Sequence, residues 1–453
     1  MRVTRATDEV LRGDKIKAGV QVVGVVGDGE IVARVRLQCL VIDKQIESIR
    51  RSRHGYADCW GGHGLQFLGW VNEPAKEFIS TPPRMDIVLP VSLGEALDKL
   101  TILDIKMSKI QDPQRRTDVQ KEYDVLMNSL NAYVVAYPYH YRILREVNLA
   151  IWEIQDRFHG KDTSADEGAK LCREILLEND RRFRVKAKIN ALANSALREQ
   201  KGYAKKKALV YTHLGLGDMY WMNGAVRYLS TAYDEVLVVC KRRNEVNAAA
   251  MYADDPTIKL LVIDDDIDLH PWSVRRHFFA DQGYTVYSCG FFAPRPDKAI
   301  YDLPNSFYDD MAISKEIRRS YFHVPRTEAA RGLAEVFKGR PYIVVHQQSS
   351  VQTIPIVEKL LAAGETRLII DLNKNHVDPV KDPAGHALAQ LVVEKPLLDY
   401  TYLIEGAEEL HMIESSIYCL ASHLDLGNVK RRLCYEPWGG DAERLGVFTT
   451  GTV

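Results

Sequence analysis

The stretch VYTHLGLGDMYWMNGAVRYLS, Val210–Ser230, decides how this chain is read. It opens as a short apolar strand, turns through His213, Gly215, Gly217 and Asp218, and continues as a helix. The glycines let the backbone turn tightly and let a ligand come close. Free N–H groups at the start of the helix suit an anion. Asp218 has two roles open to it: it caps the helix, or it accepts a proton from a hydroxyl nucleophile with His213 beside it.

The same strand–turn–helix unit recurs downstream of residue 206. Strands are read in ALVYTH, EVLVVCK, IKLLVID and TVYSCG. After a helix at 326–339, more follow in PYIVVHQQ, TRLIIDL, ELHMI and KRRLCYE. NEVNAAAMYAD, PIVEKLLAA, LLDYTYLIEGA and SSIYCLASHLD read as intervening helices. Alternating strands and helices predict parallel sheets covered on both faces. The break near 305–340 divides them into two doubly wound halves, 206–325 and 326–453, joined by a linker ending in FHVPRTEAARG.

Ligands of open parallel sheets bind beyond the carboxyl ends of the strands, and three polar clusters fall at such ends. The first is the Val210–Ser230 turn. The second is HQQSS, 346–350, where His346, Gln348 and Ser349 offer donors to phosphate or sugar. In the third, Glu414 ends a strand and Ser415 and Ser416 open a helix. A carboxylate there can take both ribose hydroxyls, and the two serines can hold a pyrophosphate. HQQSS contains no cation, so the charge would come from Arg326, Lys374 or Lys241. The first turn is neither G-x-G-x-x-G nor G-x-x-x-x-G-K-[ST], so dinucleotide and ATP readings lose ground. DDDID at 264–268 holds a D-x-D pair, Asp264 and Asp266, the weaker alternative of a Mn²⁺ or Mg²⁺ site.

Upstream, 86–205 reads as an antiparallel helical bundle. Ser92 and Glu95 form an S-x-x-E capping box, and Leu93, Leu97, Leu100, Leu103, Met107 and Ile110 recur on one helical face. Further helices are read near 115–135, along Tyr141–Phe158, and at 165–198. Asn148, Trp152, Asp180, Arg181 and Asn190 form either a polar site or inter-helix hydrogen bonds. Residues 1–85 read as a small β-rich domain with a hairpin turn at 27–29. In that segment His54, Cys59 and His63 match no strong zinc spacing, and IRRSRH near 49–54 reads as a solvated edge.

The 453 residues balance 60 Lys plus Arg against 61 Asp plus Glu, which removes any global charge argument for nucleic acid or membrane binding. No apolar run reaches the ~20 residues of a membrane span, and the N-terminus carries no apolar signal core. Seven cysteines without a C-x-x-C pair, Cys39, Cys240 and Cys419 among them, read as reduced thiols of a cytoplasmic protein.

Two resemblances add to this. SLGEALDKLTILDIK, VNLAIWEIQDR and ENDRRFRVKAKIN resemble a family of small bacterial proteins of unknown function, which implies a fold and no chemistry. H-x-G-x-G-D with a later E-S-S resembles GT-B glycosyltransferases, the heptosyltransferase-like branch in particular. LIIDLNKNHVDP and IEGAEELHMIESSIYCLASHLDL are similar to viral and bacterial glycosyltransferase domains. The fold so implied is α/β, two Rossmann-like halves of GT-B type preceded by the helical bundle and the β-rich unit. The resemblance implies a nucleotide-diphosphate sugar in the C-terminal half, a hydroxyl acceptor facing the N-terminal half, Asp218 as catalytic base, inversion, and no required cofactor. A non-catalytic nucleotide-sugar or glycan-binding module and a phage-type DNA glycosyltransferase are the alternatives. Homo-oligomerisation through the bundle is a further expectation.

Overall fold

The structure, a computed structural model, describes residues 19–27, 30–38, 86–159, 164–202, 204–212, 215–264, 272–290, 293, 302–436 and 446–451. His54, Cys59, His63, Cys39, the basic run at 49–54, His213 and Asp266 lie outside these residues. Contacts divide the chain into two compact units, residues 1–136 and 137–453.

In the first unit, β1 (Gly19–Gly27), β2 (Glu30–Gln38) and β3 (Asp86–Pro90) form an antiparallel sheet in that order. Helix α1 (Leu93–Lys109) begins as its capping residues dictate, with the Glu95 N–H donating to Ser92 Oγ at 3.3 Å. Leu93, Leu97, Leu100 and Leu103 are buried along one stripe. Helix α2 (Pro113–Ala136) packs back on α1 through Leu126 and Leu130.

The second unit opens with the paired helices α3 (Pro138–His159) and α4 (Ala165–Leu192). Alternating strands and helices follow: β4 (Lys207–Tyr211), α5 (Leu216–Ala232), β5 (Glu235–Lys241), α6 (Glu245–Met251), β6 (Ile258–Ile263), α7 (Trp272–Asp281) and β7 (Tyr284–Ser288). Helices α8 (Leu303–Asp310), α9 (Ile317–Ser320) and α10 (Glu328–Val336) lead to β8 (Tyr342–His346). Then come α11 (Ile356–Ala362), β9 (Leu368–Asp371), α12 (Pro383–Gln390), α13 (Thr401–Glu405), β10 (Glu409–Ile413), α14 (Ser416–Ala421), β11 (Arg431–Tyr435) and β12 (Thr449–Gly451).

The class is α/β with two parallel sheets and a helical region before them. The first sheet runs β6-β5-β4-β7 and the second β9-β8-β10-β11-β12. In each, the first strand of the set lies inside the sheet and the chain winds outward from it both ways. That is the doubly wound pattern, and it opens a crevice where the winding reverses: between β4 and β7 in the first sheet, between β8 and β10 in the second. All eight strands read from the sequence are present. β12 is an addition, and its three residues are too few for a pattern.

The helix pair is fixed to the first sheet by buried charge. Lys188 Nζ on α4 donates to Asp255 Oδ2 at 2.7 Å and to Ser230 Oγ at 2.6 Å. Arg184 pairs with Asp234 at 3.0 Å. Arg227, fully buried on α5, donates to the His323 carbonyl (2.7 Å), the Met251 carbonyl (2.8 Å) and Asp254 Oδ1 (2.7 Å). Burial opposes ionisation of Asp254, yet Arg227 and His323 hold its carboxyl far below the usual range. Arg181 likewise spends itself between elements, on Glu178, Thr231 and Tyr321. Asp180 takes Lys206 Nζ at 3.4 Å. Asn148 and Asn190 are buried on the helices, and Trp152 is half-buried. Arg181 and Asp180 thus serve as inter-element contacts.

Among the described residues no helix is long and apolar enough to cross a membrane. Cys240, Cys289, Cys419 and Cys434 are buried and Cys172 is exposed, none of them in a disulfide among the described residues.

Candidate functional site

The turn after β4 is built around α5. Gly215 is its N-cap, and the Gly215 N–H donates to Asp218 Oδ2 at 2.8 Å. Asp218 is thus not the N-cap residue but lies within the first turn, its carboxylate reaching back to the N-cap N–H, and that bond fixes the carboxylate's direction. Burial pushes the Asp218 carboxyl up to about 6; the Gly215 N–H works against this, the negative charge of Glu414 adds to it, and Lys241 opposes it. Glu414 belongs to the second half, one residue beyond β10, and Lys241 is the last residue of β5. Two carboxylates from different sheets and one buried lysine, 6 % exposed, thus share a neighbourhood. Thr212, 2 % exposed at the end of β4, adds a hydroxyl with no partner among the described residues.

The halves meet here in direct contact. A Cβ placed on Gly217 would lie 2.9 Å from Cys419 Sγ, 3.6 Å from Ser416 Cα and 3.7 Å from the Ser416 nitrogen. Gly217 is thus a position of close approach, where α5 of the first half packs on the start of α14 in the second. Trp221 extends the contact, edge to face with Tyr418 at 6.2 Å.

Across the β8/β10 crevice the second half places its own polar groups. His346 ends β8, and its Nδ1 lies 3.1 Å from Ser415 Oγ, the N-cap of α14. The tautomer follows from Asn373. Asn373 Oδ1 accepts the N–H groups of Gln347 and Gln348, both at 3.0 Å, so its amide nitrogen must point the other way. That nitrogen donates to the Gln348 carbonyl at 3.0 Å and faces His346 Nε2 at 3.4 Å. His346 Nε2 is then an acceptor and Nδ1–H a donor to Ser415. Ser415 Oγ also accepts the Tyr418 N–H at 3.3 Å, which leaves its own hydroxyl proton to give away. Burial lowers His346 to about 4, so the ring is neutral near pH 7.

The remaining sequence-read residues divide. Ser416 is the first residue of α14 and half-buried beside Gly217. Gln348 is exposed. Ser349 Oγ is taken up by its own turn, accepting the Val351 and Gln352 N–H groups at 3.3 Å. Lys374 is exposed on the loop after β9, at the same sheet edge. Arg326 is elsewhere: its guanidinium grips Glu405 twice, at 2.6 and 3.1 Å, and lies 4.9 Å from the Tyr402 ring centre. Glu405 ends α13 just before β10 begins, the opposite edge of the sheet from Ser415. Of the three cations considered for the site, Lys241 is the one whose charge acts on Asp218. Asp264 is exposed after β6 and paired with Arg242. Among the described residues no three His, Cys, Asp or Glu side chains are grouped to hold a metal ion.

Sequence reasoning passed over Asp371, Asn373 and His376. Asp371, 3 % exposed at the end of β9, accepts from Gln347 Nε2 (2.9 Å), the Asn373 N–H (2.9 Å) and His376 Nε2 (2.8 Å). Their position directly after an apolar strand was the available signal.

Comparison with known proteins adds the following. Residues 87–212 match a family described as a family of unknown function (DUF6165), in line with the resemblance carried by SLGEALDKLTILDIK. No curated protein matches the chain. A solved structure, that of the glycosyl transferase family 9 from Veillonella parvula, is similar at 11 % identity, over 51 % of this chain and 80 % of that one, with a TM-score of 0.33. So loose a superposition carries no argument about activity, which rests on the geometry above.

Proposed function

We propose that this chain is a glycosyltransferase moving a sugar from a nucleoside-diphosphate sugar to a hydroxyl acceptor, with inversion. The observation that carries the reading is the meeting of Asp218 on the first half with the charge of Glu414 on the second, where Gly217 packs on Ser416 at the carboxyl ends of two parallel sheets. Asp218 takes the proton of the acceptor hydroxyl. The freed oxygen bonds to the anomeric carbon while the bond from that carbon to the diphosphate oxygen breaks, and the nucleoside diphosphate leaves with the electron pair. A carboxyl near 6 is ionised at neutral pH, yet is a stronger base than an ordinary aspartate. The Ser415 hydroxyl proton and the Lys241 ammonium are suited to the charge that develops on the leaving group. In this reading Glu414 accepts from the ribose hydroxyls.

The experiment pairs a thermal-shift screen of UDP-, GDP-, ADP-, CMP- and TDP-sugars with a transfer assay on Asp218→Asn. The amide keeps an acceptor for the Gly215 N–H, so the helix start survives. Loss of transfer with donor binding retained supports the reading, and unchanged turnover removes Asp218 from the mechanism. The capping bond of Asp218 favours a second reading, a binding module without catalysis. Stoichiometric donor binding with no release of nucleoside diphosphate under any acceptor would establish that one instead.

A further inference from the structure

The leaving diphosphate requires positive charge in the second half, and the loop after β8 has none. Ser349 is committed to its turn and Arg326 to Glu405. One group on the adjoining loop is prepared differently. Asp371 is a buried carboxylate already satisfied by Gln347 Nε2 and the Asn373 N–H. It nevertheless accepts from His376 Nε2 as well, at 2.8 Å. Gln347 Nε2 lies 3.0 Å from the same ring nitrogen. An ionised carboxylate only accepts, so the 2.8 Å contact assigns the Nε2 hydrogen of His376 to Asp371, while the Gln347 amide nitrogen donates to the same carboxylate. The ring is thereby locked, and Nδ1 is its reactive edge. His376 is half-buried, and its Nδ1 is not among the buried polar atoms lacking a partner. That edge has no protein partner among the described residues, so it meets solvent. Lys374 is exposed two residues earlier on the same loop. The whole assembly hangs on Gln347 and Asn373, which bond the ends of β8 and β9 and lead through His346 to Ser415.

We propose that His376, oriented by Asp371, is a phosphate-binding residue of this site, donating from Nδ1 to a diphosphate oxygen with the exposed Lys374 as a second charge. The inference rests on the glycosyltransferase reading for the identity of the diphosphate, but the site itself is defined by its anion chemistry. Through its bond to Asp371 the His376 ring is held in one orientation. Protonated, it supplies a charge-assisted bond in a fixed direction.

The test is calorimetric titration of the full chain with inorganic pyrophosphate, and in parallel with UDP, GDP and ADP. His376→Gln is expected to weaken pyrophosphate binding about tenfold or more, the loss of one charge-assisted hydrogen bond. His376→Lys should restore most of it. Asp371→Asn should weaken it less, by releasing the ring. Because Asp371 is buried, circular dichroism must accompany that variant, and the half-exposed His376 variants decide the matter alone if it fails to fold. Unaltered pyrophosphate affinity in His376→Gln, or no binding by the wild-type chain at millimolar concentration, overturns the proposal. Binding that depends on His376 without turnover of any nucleotide sugar leaves the anion site standing and removes the transferase reading. Transfer that is indifferent to His376→Gln does the reverse.

Discussion

Replacing Gly217 by alanine tests how closely the two halves abut. The new methyl would lie 2.9 Å from Cys419 Sγ, well inside the ~3.5–4.0 Å at which non-bonded heavy atoms rest. Cys419 is buried among α14 and its neighbours and has little room to turn. Overpacking of this kind costs about 1–3 kcal/mol. Against it stands the helix preference of alanine over glycine, up to ~1 kcal/mol and less in a first turn. The net expectation is a loss of about 1–2 kcal/mol. In a Cys419→Ala background the obstructing sulfur is gone, and Gly217→Ala should be neutral or mildly stabilising. The coupling between the two positions is then about 1–3 kcal/mol. Urea unfolding followed by tryptophan fluorescence reads it, since Trp221 sits in the same helix against Tyr418. Because Asp218 is the next residue, Gly217→Ala should also weaken transfer, and Cys419→Ala should recover it. A coupling energy below ~0.5 kcal/mol, the scatter of independent sites, would refute the contact as described.

Three further outcomes are expected. Folded Asp218 holds its proton up to about 6 against an ordinary 3.8, so it favours the folded state at low pH and loses that advantage as pH rises through 6. Before allowance for its partial exposure this amounts to about 3 kcal/mol, and Asp218→Asn should flatten the dependence, gaining on wild type between pH 4 and pH 8 in urea midpoints; transfer by the wild type should fall on the acid side of about 6. His346 is depressed to about 4, so its contribution is full above the ordinary 6.5 and is lost as pH falls through 4, at most about 3 kcal/mol; acid titration of His346→Gln by circular dichroism should show a shallower loss over that window. Arg227→Met should cost about 2–3 kcal/mol, because it takes the buried guanidinium from the half-buried Asp254 carboxylate, which keeps only His323, and from the His323 and Met251 carbonyls, and Asp254→Asn added to it should recover part; a loss below ~1 kcal/mol in urea melts would contradict the pairing.

The fold was legible where burial on both faces writes a continuous apolar run, as in EVLVVCK and ELHMI, both of which are strands with the bounds read from the sequence. Helix starts were legible where a side chain caps its own helix, as Ser92 and Ser415 do. The candidate site was partly legible, because strand ends in a parallel sheet are the places to look. Choosing among cations was beyond the sequence. Arg326 and Lys241 look alike as letters, and only the pairing of Arg326 with Glu405, 79 positions along the chain at the wrong edge, separates them. Asp371 and His376 were missed for a related reason: NKNH reads as a polar loop until β8 is laid beside β9 and Gln347 reaches across.

The ionic seam of Lys188 and Arg184 has a practical bearing on dissecting this chain. A fragment begun at residue 206, where strand periodicity starts, would leave Asp255 and Asp234 facing water with their counter-ions amputated and a raw helix-shaped furrow alongside. The first sheet and the α3–α4 pair therefore belong together in any shuffling or expression experiment.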